Sequence, residues 1–242
     1  MTRLHKLLNA RTDRAVFEYK MLEPGDRVLV SVSGGSDSMA LLDILRLRIR
    51  VYGLDVQLFA VYIDLGFEPD PKNRCEQMGT FFRRNQITGR IIETNIGLYS
   101  QSDENRENPC FLCTRMRRKR MFESADELGC NKIALGHHKD DMIETLFINM
   151  IWGRELSTMS PNLPVFSGRF HLIRPLMYIE EPLLKKYCLE RDLFTFKNPC
   201  PTAGNSKRQY VKELLEKIET EQKGAKENIF HAMKNVKSQY LL

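Results

Sequence analysis

The chain has 242 residues, 42% hydrophobic and 28% charged, which suits one sizeable α/β domain with a small appendage and excludes extended disorder. Its first twenty residues are charged throughout, and no run of roughly 18 uncharged apolar residues occurs, so neither a secretory leader nor a membrane span is expected and a cytoplasmic protein is. A net charge of +6 points to a polyanionic partner, and the six cysteines of such a chain are expected as thiols, metal ligands or catalysts rather than disulfides.

Residues 2–21 place Leu4, Leu7, Leu8, Ala15 and Val16 at helical spacing and read as a helical arm. Pro24-Gly25-Asp26 makes a turn, and Arg27–Val32 is a β-branched run suited to a buried strand. A Gly-rich turn and a helix from Asp37 to about Arg50 follow. Further strands are expected at 56–63, 89–94, 132–136 and near 171–176, with helices between them at about 71–86, 112–128, 141–152 and 180–192. After Pro199 comes a loop, then helical segments at 208–220 and about 225–238. The polar stretch 100–109 is expected to be mobile without its ligand. This alternation predicts an α/β fold, a mostly parallel sheet with helices on both faces, and such sheets bind ligands beyond the C-terminal ends of their strands.

Ser33-Gly34-Gly35-Ser36-Asp37-Ser38 joins a strand to a helix. Adjacent glycines let the backbone N–H groups converge, Ser36 and Ser38 add hydroxyl donors, and the helix N-terminus adds partial positive charge, which together make a pyrophosphate cradle. The string is neither a Walker A loop, lacking the GK[ST] ending, nor a G-x-G-x-x-G fingerprint. A tight turn capped by Ser36 or Asp37 would use some of the same residues. A second motif, Gly136-His137-His138-Lys139-Asp140-Asp141-Met142-Ile143-Glu144-Thr145, follows the strand at 132–136. Asp141 and Glu144 share a helix face, Asp140 is expected at the cap, and carboxylates there suit Mg²⁺ beside a triphosphate, although helix starts also carry acids simply as caps.

SGGSDS resembles the signature of the PP-loop, or N-type ATP pyrophosphatase, superfamily, and the second string is similar to the GHHxDDxxET segment of its tRNA-modifying members, the lysidine synthetases and tRNA thiolases. The resemblance implies a Rossmann-like fold of the adenine nucleotide alpha hydrolase type and cleavage of ATP between its α- and β-phosphates to leave an adenylated substrate. It implies that residues 33–38 grip the pyrophosphate, that Asp37 and Asp141 hold Mg²⁺ or act as catalytic acids, and that Gly136 and His137 lie near the adenosine. Asp64, ending the second strand, is where such folds meet the ribose or base edge. On this reading residues 1–23 form the arm, 24–197 the PP-loop domain, and 198–242 a cysteine loop and helices packed on that domain.

Pro109-Cys110-Phe111-Leu112-Cys113 is a C-x-x-C at a helix start, by itself a zinc, redox or cluster half-site. Five cations in the six residues 115–120 follow at once (Arg115, Arg117, Arg118, Lys119 and Arg120), and Cys200 lies in Asn198-Pro199-Cys200-Pro201. PCxxCxxxRR followed by GHHxDD resembles the tRNA 2-thiocytidine and 2-thiouridine synthetases. That likeness implies a [4Fe–4S] cluster on Cys110, Cys113 and Cys200 with the fourth iron left for incoming sulfur, and a homodimer. Thiocytidine synthetases usually carry a second C-x-x-C at the late position, where this chain has Cys200-Pro201-Thr202-Ala203. The run 115–120, with Lys207 and Arg208, is expected to contact the tRNA backbone. Cys75, Cys130 and Cys188, among apolar neighbours, are expected to be buried, inert thiols.

The leading expectation is therefore a tRNA thiolase that uses ATP and Mg²⁺ and receives sulfur from sulfide, a desulfurase or a sulfur carrier. A lysidine-type enzyme would leave the three cysteines unexplained, and a nucleotide-binding protein with a structural zinc site is the non-enzymatic alternative.

Overall fold

The computed structural model describes residues 2–240 except 68–70, 198–199, 202–203 and 205. Six strands form one sheet in the order β3-β2-β1-β4-β6-β5: β1 (Arg27–Val32), β2 (Gln57–Asp64), β3 (Thr88–Glu93), β4 (Lys132–Ala134), β5 (Asn162–Val165) and β6 (Phe170–Ile173). All neighbours are parallel except β5 and β6. Val28 pairs with Leu58 on one side and Lys132 on the other, so β1 is the central strand.

Its run Val28-Leu29-Val30-Ser31-Val32 serves two cores at once. Val28, Val30 and Val32 enter a large cluster with the helices α1 (Arg3–Glu18), α2 (Ser36–Tyr52) and α7 (Glu181–Glu190), while Leu29 joins Phe59, Val61 and Ile63 under α5 (Pro109–Glu127). A strand buried on both faces reads as a continuous apolar run, which is why this one was legible. The remaining helices are α3 (Pro71–Arg84), α4 (Ile96–Gln101), α6 (Lys139–Ile148), continued by a π-turn over Asn149–Gly153, α8 (Lys207–Glu221) and α9 (Ala225–Ala232). The arm helix α1 buries Leu4, Leu8, Ala15 and Val16 in the large cluster, and Val211 and Leu215 of α8 reach the same core. No described helix is long and apolar enough to cross a membrane.

The antiparallel strand β5 and the short α4 have no counterpart in the sequence reading. Pro164 sits inside β5, where proline is tolerated only because the strand is an edge. The hairpin turns through Phe166, Ser167 and Gly168, all at positive φ (51°, 55° and 85°), and Ser167-Gly168 was its one local signal. Within the polar stretch 100–109 the Asn105 side chain organises a turn, its amide donating to the Ser100 and Glu107 carbonyls at 2.7 and 3.1 Å. Cys75, Cys130 and Cys188 are buried, as expected, and burial pushes their thiols up to about 11, 11 and 12.

Candidate active site

The chain leaves β1 towards β2 and β3 on one side, then returns to β4 on the other, so strand order reverses between β1 and β4. In open α/β sheets ligands bind in the crevice at such a reversal. Both main motifs open there: Ser33–Ser38 after β1, and Gly136–Glu144 after β4.

The loop after β1 is shaped by its own hydrogen bonds. The Ser33 amide donates to Ser38 Oγ (3.1 Å), the Ser38 hydroxyl donates to the Gly35 carbonyl (3.0 Å), and the Ser33 and Ser38 hydroxyls lie 3.2 Å apart. Gly34 takes φ +82°, and a Cβ there would run into the ring of Phe196, whose amide donates to the Gly34 carbonyl at 2.7 Å. Gly35 is the N-cap of α2 and supplies no side-chain cap, which leaves the helix start to a ligand or water. Gly136 brings the second motif close, since a Cβ on it would sit 3.1 Å from the Ser38 nitrogen.

His138, rather than Asp140, is the N-cap of α6: its side chain accepts from the Asp141 amide, and its own amide donates to Asp141 Oδ2 at 3.0 Å. Asp140 instead accepts from the Glu181 amide at 2.8 Å and caps α7. With Nδ1 accepting, His138 Nε2 faces Asp141 Oδ2 at 3.4 Å and Asp37 Oδ2 at 3.9 Å, so the two predicted acids flank one ring. Burial raises the Asp37 pKa, His138 opposes it and the Asp141 charge adds to it. Glu144 is buried and raised in the same way, with Arg208 opposing. Arg208, still exposed, contacts both Asp141 and Glu144, the latter at 3.1 Å, and supplies these carboxylates with a cation. Asp64 ends β2, buried, accepting from the Gly66 amide at 3.3 Å, and burial raises its pKa. His137 is held to about 4, first by burial and then by Arg174, whose Nε donates to His137 Nδ1 at 3.1 Å.

Cys110 and Cys113 occupy the first turn of α5, which begins with Asn108 capping the Phe111 amide and Pro109 in its first turn. Burial pushes the Cys113 thiol up, Arg117 and a hydrogen bond with Ser100 pull it down, and the charges of Cys200 and Cys110 add to the rise, so both other cysteines are within electrostatic reach of Cys113. Asn198, Pro199, Thr202 and Ala203, which frame Cys200, lie outside the described residues. Among the described residues no three His, Cys, Asp or Glu side chains are arranged to hold a metal ion. Three soft thiolates from two segments are nonetheless a donor set suited to iron–sulfur ligation rather than to Mg²⁺.

The cations of α5 are exposed. Arg115 pairs with Glu107 at 2.7 Å, Lys119 and Arg120 reach Glu123 at 3.8 and 3.1 Å, and Arg117 and Arg118 have no ion pair among the described residues. Lys207 lies over the Trp152 ring at 5.2 Å.

Residues 4–218 match the PP-loop domain family. The chain belongs to the PP-loop family. Proteins named tRNA-cytidine(32) 2-sulfurtransferase are 35% identical in Methylobacillus flagellatus, over 99% of this chain and 78% of the relative, and 38% identical in Alkalilimnicola ehrlichii, over 98% and 76%. The fold is also that of the U34-tRNA thiolase NcsA of Methanococcus maripaludis, solved with its [4Fe-4S] cluster, at TM-score 0.75 and 23% identity over 96% of this chain and 79% of that one.

Sequence reasoning missed several residues of this PP-loop site. Phe196, which covers Gly34, sits in a segment without a motif. Arg174 lies just past a strand among apolar neighbours, and the one local clue is that a charge there interrupts a buried run. Trp152, the only tryptophan, meets Tyr210 edge-on with ring centroids 5.9 Å apart, both rings exposed beside Lys207. A lone tryptophan among exposed Met150 and Ile151 on the helix extension was the available signal.

Proposed function

We propose that this PP-loop protein is an ATP-dependent tRNA 2-sulfurtransferase whose target is a cytidine of the kind named for its relatives. The observation that supports this reading is the pairing of two motifs where strand order reverses: the phosphate loop after β1 and the acidic helix start after β4, whose Asp37 and Asp141 flank the His138 ring; Cys110 and Cys113 open the neighbouring helix α5. ATP lies with its β,γ-phosphates on Ser33–Ser38, and Asp37 and Asp141 hold Mg²⁺ against the phosphates. The pyrimidine O2 attacks the α-phosphorus and pyrophosphate leaves. A sulfur nucleophile then attacks C2, and AMP departs with the original oxygen.

Arg208 already supplies a cation to Asp141 and Glu144, which supports the demand of these carboxylates for positive charge. Cys110, Cys113 and Cys200 would hold a [4Fe–4S] cluster, which when bound supplies an iron with no protein thiolate for the sulfur atom. The sulfur comes from sulfide, a desulfurase or a carrier protein, and the enzyme works as a homodimer. Arg115, Arg117, Arg118, Lys119, Arg120 and Lys207 grip the RNA backbone, positioning the substrate without choosing its base.

The test is a separation of two half-reactions with anaerobically purified protein and unmodified tRNA. Asp141→Ala should abolish AMP release. Cys200→Ser should retain it in large part, yet form no 2-thiocytidine and lose iron and acid-labile sulfide. Equal loss of both half-reactions in both variants, or zinc without sulfide in the wild type, rejects the reading.

A further inference from the structure

Two residues of the second motif take no part in the chemistry proposed above. Lys139 and Asp140 open α6 immediately before Asp141, and both are held from outside that helix. Lys139 is only 5% exposed. Its amide donates to the Ile179 carbonyl at 2.9 Å. Its ammonium group contacts Glu227 of α9, reaches Glu180 at 3.2 Å and lies 5.3 Å from the centre of the Phe230 ring. Asp140 pairs with Lys226 of α9 at 3.6 Å and accepts from the Glu181 amide at 2.8 Å. A cation and an anion that follow each other in the first turn of α9 thus meet an anion and a cation that are neighbours in the first turn of α6. Glu180 also contacts Arg11 of α1, which brings the N-terminal arm into the same network.

These contacts fix how α6 is turned about its axis. Successive side chains leave a helix about 100° apart, so with Lys139 and Asp140 anchored the direction of Asp141 is set as well. Turning the helix would strand a buried ammonium group away from its carboxylates, which is strongly unfavourable. In the observed setting Asp141 Oδ2 lies 3.4 Å from His138 Nε2, on the ring that Asp37 also approaches.

We propose that Lys139, held by Glu227, is a positioning residue for the adenylation step, and that the C-terminal helix α9 thereby sets the orientation of Asp141. The inference rests on the function proposed above only for the role of Asp141. The competing account is that these pairs merely fasten the C-terminal helices to the domain.

The experiment compares Lys139→Met, Glu227→Gln and the double variant with wild type in the full-length protein. It reads AMP release per folded molecule and amide hydrogen exchange. Methionine keeps an unbranched stem against Phe230 and removes the charge, while the Glu180 and Glu227 side chains, 30% and 50% exposed, stay within reach of water. Lys139→Met should release AMP about 10-fold more slowly, chiefly in kcat, because a displaced carboxylate spoils the reacting geometry. The Asp141 and Met142 amides should exchange about 10-fold faster in it, with those of α2 unchanged. Lys139→Arg should restore most of both. Glu227→Gln should give a smaller loss of the same kind, and the double variant should be no slower than Lys139→Met, since both act through one contact.

Losses that multiply in the double variant overturn the proposal. So does a Lys139→Met protein that melts lower yet keeps wild-type AMP release and wild-type exchange in the first turn of α6, which is the outcome of the competing account. Should Lys139→Met fail to fold, Glu227→Gln at its half-exposed site carries the comparison, and unchanged first-turn exchange there overturns the proposal. Absence of AMP release from the wild type would overturn the proposed function, and the exchange comparison would still decide whether α9 sets the start of α6.

Discussion

Asp37 and Asp43 stand on one helix, a little under two turns apart, in opposite surroundings. Asp43 is 1% exposed in its side chain, and although burial alone would raise it, hydrogen bonds from Arg191 (2.9 Å), Arg46 (2.8 Å) and Tyr187 (2.8 Å) hold its carboxyl below the ordinary range. Among the described residues Asp37 has only the Ser36 hydroxyl at 3.2 Å and the His138 ring at 3.9 Å, and burial raises it. The middle of α2 is a finished electrostatic structure. Its first turn is left incomplete, which is what a cation and a phosphate require. The same contrast separates an aspartate that holds the protein together from one that costs it stability.

The sharpest way to press this comparison is Asp37→Asn. AMP formation should fall roughly 1,000-fold, about 4 kcal/mol in the barrier. Because the folded pKa of Asp37 is raised, its contribution to stability is present at low pH and lost as pH rises through that value, so at pH 7 the variant should melt no lower than wild type in calorimetry. Asp43→Asn should do the reverse, losing about 3 kcal/mol in denaturant unfolding by stranding two guanidinium groups, while AMP release per folded molecule stays near wild type. If Asp43→Asn lost AMP release as severely as Asp37→Asn while still folded, the division would be broken.

A smaller effect is expected at Gly34. Gly34→Ala places a Cβ against Phe196 at positive φ and should cost about 1–2 kcal/mol and weaken ATP binding, measured by calorimetric titration. Adding Phe196→Ala should recover the steric part alone, since the backbone strain stays. Smallest is the acid limb. The lowered pKa of Asp43 gives stability that is present above the unfolded carboxylate range and lost as pH falls through the folded value. The gap between wild type and Asp43→Asn should therefore hold from pH 7 to about 5 and narrow below about 4.

The short-range features were legible because the sequence encodes them locally. Strand β1, the loop Ser33–Ser38 and the capped start of α5 each depend on residues within a few positions, so pattern and spacing were enough. The cap of α6 was misread because two candidate acids and two histidines stand side by side, and which one caps depends on the neighbouring helix α7, which takes Asp140. The hairpin of β5 and β6 escaped because β5 is four residues long with a proline inside it, and Phe166 at positive φ is not a turn signal.

By itself the sequence determined the family, the phosphate loop, the acidic helix start, the paired cysteines and the alternation that makes a parallel sheet. Each of these is a pattern of neighbours along the chain. Tertiary structure decided that Arg208 turns onto Asp141 and Glu144, that Phe196 covers Gly34, and that Arg174 is buried beside His137. These are contacts between distant segments. Spacing along the chain carries no information about them, because the free energy that selects them is paid out only when β1, β4 and β6 lie side by side.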